Sequence, residues 1–220
     1  MSAAVVIGAG PGIGASVADR LAREGMSVTV VARNRETVRG VTDRLERSGR
    51  KALGLTADST DEAGLRDALD TAAAENGPTE LLVYNAALIR QDAPGELDAQ
   101  GQLDAWAVNV VGALTAAAHL APGMVARGSG TILITGGMPR ANPTRISLSL
   151  GKLGVRNLVE LLDGAYGPAG VHVASVTVPN QVVPGTDHDP DDIAEHYWRL
   201  HLQPRERWQH EVVHGVRPAV

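Results

Sequence analysis

The sequence predicts an α/β fold, a doubly wound parallel sheet with helices on both faces, in one domain spanning residues 1–220. Three observations predict it. Short apolar runs alternate with longer segments of helical period along the chain, a βαβαβ rhythm that calls for crossover connections and hence parallel strands. Several of the runs are nearly continuous in apolar residues, as strands buried on both faces must be. A glycine-rich turn joins the first run to the first helical segment.

The elements follow in order. A strand over residues 3–9 leads through the glycine turn into a helix over 12–24, closed by Gly25. A strand over 27–32 precedes a helix over 35–48, closed by Gly49. A third strand covers 51–57. Ser59 and Thr60 then stand before the acidic first turn of a helix over 61–76, which Gly77 ends. Next come a strand over 80–85, a long helix over 101–127, a strand over 130–135 and a helix over 146–166. The last are a strand over 171–178, a helix over 190–201 and a weaker strand over 211–214. The segment 184–190 is the only break in composition and is too short for a domain boundary.

Composition narrows the function. A net charge of -5 gives no basic footprint, so neither nucleic acid nor an anionic membrane surface is an expected partner. No Cys is present, which rules out a disulfide framework, a thiolate zinc site and a thiol nucleophile, and fits a cytoplasmic, reducing location. No uninterrupted apolar run approaches the ~20 residues of a bilayer span, and the first residues lack the basic and apolar regions of a signal peptide.

The stretch Val5-Val6-Ile7-Gly8-Ala9-Gly10-Pro11-Gly12-Ile13-Gly14-Ala15 reads as strand, turn and helix start. The chain reverses without a Cβ in the way, and the helix that follows offers free N–H groups and a positive dipole end to a diphosphate. The alternative is a plain tight turn; the position between strand and helix favours the phosphate cradle. A site for NAD ordinarily has Asp or Glu at the end of the second strand, about 20 residues past the glycines. That position is Ala32, followed by Arg33 and Asn34. An Arg there meets a 2′-phosphate and no carboxylate repels it, so NADP(H) is the expected cofactor, unless Arg33 is only a solvated strand-end charge.

Gly8, Gly12 and Gly14 form Gly-x-x-x-Gly-x-Gly. Asn85-Ala86-Ala87 follows the fourth strand, Asn109 sits in Trp106-Ala107-Val108-Asn109-Val110, and Lys152 lies on the sixth helix. On these motifs the sequence resembles the short-chain dehydrogenase/reductase (SDR) family across nearly the whole chain, which implies a Rossmann-like fold. The resemblance implies a cofactor cradle of Gly8, Gly10, Gly12, Ile13 and Gly14, with Arg33 and Asn34 beside it. Asp58 resembles the adenine-side Asp. Asn85, Ala86 and Ala87 resemble an Asn-Asn-Ala-Gly motif, from which Tyr84 and Ala87 depart. Pro179 and Val182 fall near the nicotinamide, although Pro184-Gly185-Thr186 repeats the expected letters six residues later. Asn109 and Lys152 are the inherited catalytic residues, Lys152 also holding the ribose.

The catalytic pattern then breaks. The position of the family's Tyr, four before Lys152, is Leu148, and that of its Ser is Gly136 or Gly137. Ser147 and Ser149 flank Leu148 but point about 100° away from it on a helix. Lys152 acting directly or through water is one route left for the proton. Three readings stay open: an atypical oxidoreductase acting on a small molecule with a non-standard proton donor, a non-redox isomerase or cyclase, and a non-catalytic dinucleotide-binding or regulatory protein.

Arg140 and Arg145, between the fifth strand and the Lys152 helix, are candidates to meet an anionic substrate, or are solvated loop charges. Of the late His residues, His196 and His201 are five apart and split across a helix, so no metal site is expected. Tyr197 and Trp198 read as packing residues. Trp106, Ala113, Ala116 and Leu120 on one helix, with Leu150, Leu153, Val155, Leu158 and Leu161 on another, supply apolar surface. SDR relatives associate through these two helices, which implies a homodimer or homotetramer.

Overall fold

The computed structural model describes residues 2–216. Seven strands form one sheet: β1 (Ala3–Ile7), β2 (Ser27–Ala32), β3 (Ala52–Thr56), β4 (Thr79–Tyr84), β5 (Gly130–Gly137), β6 (Val171–Val178) and β7 (Glu211–Val213). Their order is β3-β2-β1-β4-β5-β6-β7 and every pairing is parallel. Ile7 pairs with Val31 on one side and Tyr84 on the other, so the carboxyl ends of the central strands finish level. The chain leaves at the β3 edge and returns on the far side of β1. A crevice opens where the strand order reverses in this way.

Period-two alternation sends the side chains of each strand to two cores. Ala4 and Val6 pack with Leu21 of α1 (Ile13–Arg23), Leu45 of α2 (Arg35–Arg47) and Tyr197 of α7 (Pro190–His201). Val5 and Ile7 pack with Leu69 of α3 (Glu62–Asn76), Met124 of α5 (Gly112–Arg127) and Leu158 of α6 (Ile146–Tyr166). The doubly wound α/β architecture is therefore the one the sequence predicts.

Helix ends differ from the sequence reading where a side chain reaches an unpaired N–H. Asp61, rather than Ser59 or Thr60, caps α3 by accepting from Gly64 N. The long helix begins before residue 101 as α4 (Ala99–Trp106), because the Asp98 carboxylate accepts from Gly101 N at 2.8 Å.

Between α4 and α5 the helix widens into a π segment, Ala107–Val111, in which Gly112 N reaches back five residues to Ala107 O. The Tyr84 hydroxyl donates to Val108 O there at 2.6 Å. Gly112 makes room for it, since a Cβ would stand 2.3 Å from that oxygen.

The whole helical run 99–127 is long and apolar enough to cross a membrane by length and composition, which the sequence reading missed by asking for an unbroken apolar run. More than half of that apolar window is buried inside the protein, so it serves the core. Ala113, Ala116, Val155 and Leu158, expected on an association surface, are core residues too, whereas Trp106, Leu114, Leu150, Leu153 and Leu161 are exposed.

Candidate active site

A cleft of about 900 Å³ runs across the carboxyl ends of the central strands. Its floor begins at the glycine turn. Gly8 has φ +81, and a Cβ on it would stand 2.3 Å from Ala86 N, so only glycine fits. Gly14 lets α1 cross the turn, a Cβ there lying 2.5 Å from Gly8 O. Gly10 and Gly12 meet nothing within 4 Å and leave the cleft open. Ala15 N and Ser16 N bond Gly10 O and Gly12 O, while Ile13 and Gly14 line the cleft and their N–H groups have no partner among the described residues.

Around this turn the cleft gathers Arg33, Asn34, Asn85, Ala86, Ala87, Lys152, Pro179 and Val182, all expected from the sequence. Asp58 is the exception. Its carboxylate accepts from Thr60 N and Thr60 Oγ1, both at 2.9 Å, and only its neighbours Ala57 and Ser59 line the cleft. Asn34 lines the wall while also capping α2 through Glu36 N. Thr37, absent from the sequence reading, joins it from the first turn of α2.

Asn85 ties four elements together. Its Nδ2 donates to Gly8 O at 2.8 Å and its Oδ1 accepts from Thr135 Oγ1 at 2.8 Å. That hydroxyl spends its proton on Asn85, so Tyr197 Oη, 2.6 Å away, is the donor of the next bond. Tyr197 is thus more than packing, and burial raises its pKa. The Tyr84 hydroxyl is likewise pushed up, to about 12, chiefly by burial.

Lys152 is 5% exposed and donates from Nζ to Thr135 O at 2.7 Å. Burial lowers its pKa to about 8. It is no surface helix Lys. Asn109, the other residue expected to act in catalysis, does not line the cleft. It is 1% exposed, its Oδ1 accepts from Leu88 N at 2.9 Å, and its Nδ2 has no partner among the described residues. Gly151 packs on it, a Cβ there falling 2.7 Å from Asn109 Cβ. Asn109 therefore positions the segment after β4 against α6.

Gly136 and Gly137 separate cleanly. A Cβ on Gly136 would collide with Thr177 Oγ1 at 2.3 Å, whereas one on Gly137 would meet Val178 O at 3.4 Å and Lys152 Cε at 3.7 Å, ordinary contacts. Gly137 is the position that looks toward Lys152. Met138 beyond it has φ +47, the one non-glycine positive φ among the described residues, and Arg156 clamps that turn through Gly137 O and Met138 O.

Leu148 is buried one turn before Lys152 and lines the cleft. Its flanking hydroxyls are engaged elsewhere: Ser147 Oγ donates to Asp92 Oδ1 at 3.0 Å, and Ser149 Oγ accepts from Asn142 N. Asp92, 1% exposed, also accepts from Ser147 N and so caps α6 from 55 residues away; nothing local in the sequence announces it.

The remaining walls are Ile89, Met138, Asn142, Arg145 and the segment Val178–Val182. Arg140 is exposed and outside the cleft, as are Pro184-Gly185-Thr186, whereas Val178 and Pro179 line it. Beyond that segment three imidazoles meet. His196 Nε2 lies 3.0 Å from His214 Nδ1, and His188 packs edge-on to His214. Among the described residues no His, Asp and Glu group is arranged to hold a metal. The titratable groups lining the cleft are Arg33, Arg145 and Lys152, and no carboxylate lines it among the described residues.

A glycine turn at a switch point, beside a buried Lys, places the cleft of a doubly wound α/β protein at the carboxyl ends of its strands. Residues 2–189 match the model of the short chain dehydrogenase family, and the chain belongs to that family. It is 35% identical over 192 residues to cis-4-hydroxycyclohexanecarboxylate dehydrogenase of Sinomonas cyclohexanicum, covering 85% of this chain and 74% of that one. It is 31% identical over 201 residues to the short-chain reductase protein NovJ of Streptomyces niveus, covering 88% and 73%. A metagenomic short-chain oxidoreductase solved in complex with NADP superposes with a TM-score of 0.88 at 26% identity, covering 100% of this chain and 97% of that one.

Proposed function

We propose that the protein is an NADP(H)-dependent oxidoreductase of a small organic substrate, in which Lys152 donates the proton that the family's Tyr supplies elsewhere. The observation that carries this reading is the cleft's charge: among the described residues it is lined by Arg33, Arg145 and Lys152 and by no carboxylate. Of these only Lys152, with a pKa of about 8, exchanges a proton near neutrality. The NADP complex of the metagenomic relative supports the cofactor assignment.

The cradle fits the cofactor. Gly10 and Gly12 leave open the space a Cβ would fill, and Ile13 N and Gly14 N offer donors to a diphosphate. Arg33 stands at the end of β2, where a 2′-phosphate needs a cation. Bound NADPH supplies the hydride equivalent of the reduction. Thr135 O holds the Lys152 ammonium by one N–H and leaves two for ribose and substrate. A Cβ on Gly137 would stand 3.7 Å from Lys152 Cε, Leu148 lines the same cleft, and neither residue offers a hydroxyl. Charge developing on the substrate is met there by a desolvated acid, a contribution of about 10²–10⁴-fold.

The test is NADPH consumption against small ketones, enones, dienoyl thioesters and imines, with 4-oxocyclohexanecarboxylate included because of the Sinomonas relative's name. The acid form must be present, so kcat/KM holds level below pH about 8 and falls above it. Lys152→Met lowers kcat/KM by about 10²-fold or more, with NADPH affinity measured separately to remove the ribose contribution. Tight NADPH binding with no turnover on any member sinks the redox reading in favour of the isomerase, cyclase or binding-protein alternatives. We further propose association as a homodimer or homotetramer through the exposed apolar residues of α4, α5 and α6.

A further inference from the structure

We propose that Arg145 binds a carboxylate on the substrate, so that the protein's natural substrates are oxo acids whose carbonyl lies several bonds from the acid group. The inference rests on the reading above only in taking the Lys152 end of the cleft as the reacting end.

Arg145 is half-buried and lines the cleft, and its guanidinium has no ion pair or hydrogen bond among the described residues. Other half-buried cations differ: Arg20 pairs with Glu24 and Glu195, Arg50 with Asp19, and Arg156 with two carbonyls. A cleft-lining guanidinium with no protein partner among the described residues is free to take an anion in a bidentate pair.

Asp92 bridges to the Arg145 backbone, but its carboxylate turns to Ser147 N and Ser147 Oγ and makes no ion pair with Arg145. Arg145 itself is held firmly, its N–H bonded to Asn142 O at 3.0 Å and its carbonyl accepting from Ser149 N at 2.8 Å. It occupies the N-cap position of α6 with no side-chain cap bond of its own, the helix end being met by Asp92.

Spacing sets the shape of the ligand. Arg145 stands at the N-cap of α6, and Leu148 and Lys152 follow it three and seven residues on, a rise of roughly 10 Å along the helix axis from first to last. Ile89, Met138 and Leu148 add apolar surface to the cleft that holds both cations. A hydrocarbon body with an anionic head at Arg145 and its carbonyl near Lys152 suits this arrangement. A 2-oxo acid, with its two groups adjacent, does not span it.

The experiment compares 5-oxohexanoate, its methyl ester and pyruvate. Binding is measured by calorimetry to the NADP⁺-loaded protein, which cannot reduce a ketone, and turnover by NADPH consumption. We expect 5-oxohexanoate to bind at least about tenfold more tightly than its ester and than pyruvate, and Arg145→Gln to abolish that preference. Arg140→Gln, outside the cleft, leaves it intact. Equal binding of acid and ester by the unaltered protein overturns the proposal, as does a preference that survives Arg145→Gln. Arg145-dependent binding without any turnover overturns the redox reading and leaves this one standing; turnover of acid and ester alike does the reverse.

Discussion

Thr135 is bonded on both sides of its backbone and side chain: its carbonyl holds Lys152, and its hydroxyl links Asn85 to Tyr197. One residue at the end of β5 thereby fixes the buried cation and the glycine turn in a common frame. Asn85 and Lys152 were legible in the sequence because their motifs are local. Thr135, Asp92 and Tyr197 were not, because their roles come from partners between 50 and 62 residues away. The same geometry makes the missing hydroxyls testable. A Ser at Gly137 fits at ordinary contact distance from Lys152, and Leu148 already faces the cleft. The double variant Gly137→Ser, Leu148→Tyr should raise NADPH-dependent reduction of simple ketones by about 10²-fold, within the range a positioned acid contributes. No gain from a correctly folded double variant, checked by its circular dichroism, argues that Leu148 and Gly137 do not occupy the Tyr and Ser positions.

Helices carry the next level of order. The period-3.6 pattern gave the long helix over 101–127 without its π segment, since Ala107–Val111 is as apolar as its neighbours and the widening answers Tyr84, a residue on another element. Helix α6 shows the converse, its start being read correctly from local sequence although its cap, Asp92, is remote. The amphipathic faces were half legible. Ala113, Ala116, Val155 and Leu158 were expected outside and are core, because the sheet takes the inner stripe of each helix. What remains outside is still apolar: Leu103, Trp106 and Leu114 on the α4–α5 run and Leu150, Leu153 and Leu161 on α6, Leu161 being 71% exposed. Such a band favours a partner surface. Light scattering should return twice or four times the chain mass, and Leu153→Glu should lower it. A monomer at micromolar concentration contradicts the association.

At the scale of the molecule the parallel sheet, its order and its crevice follow from strand-helix alternation and from one glycine turn, both visible in the chain. The charge of the crevice does not, since a net charge of -5 conceals a cleft whose charged lining, among the described residues, is all cationic. The sheet collects Arg33 and Lys152 from positions 119 residues apart, and it leaves Asp58 outside by turning its carboxylate to Thr60. Everything proposed for the cleft depends on a phosphorylated dinucleotide lying in it. The most direct measurement is calorimetry with NADPH and NADH on the full chain and on Arg33→Ser. The account predicts that NADPH binds at least about tenfold more tightly than NADH, and that Arg33→Ser removes most of that difference. Absence of binding heat for both coenzymes at millimolar concentration, or a preference for NADH, would contradict it.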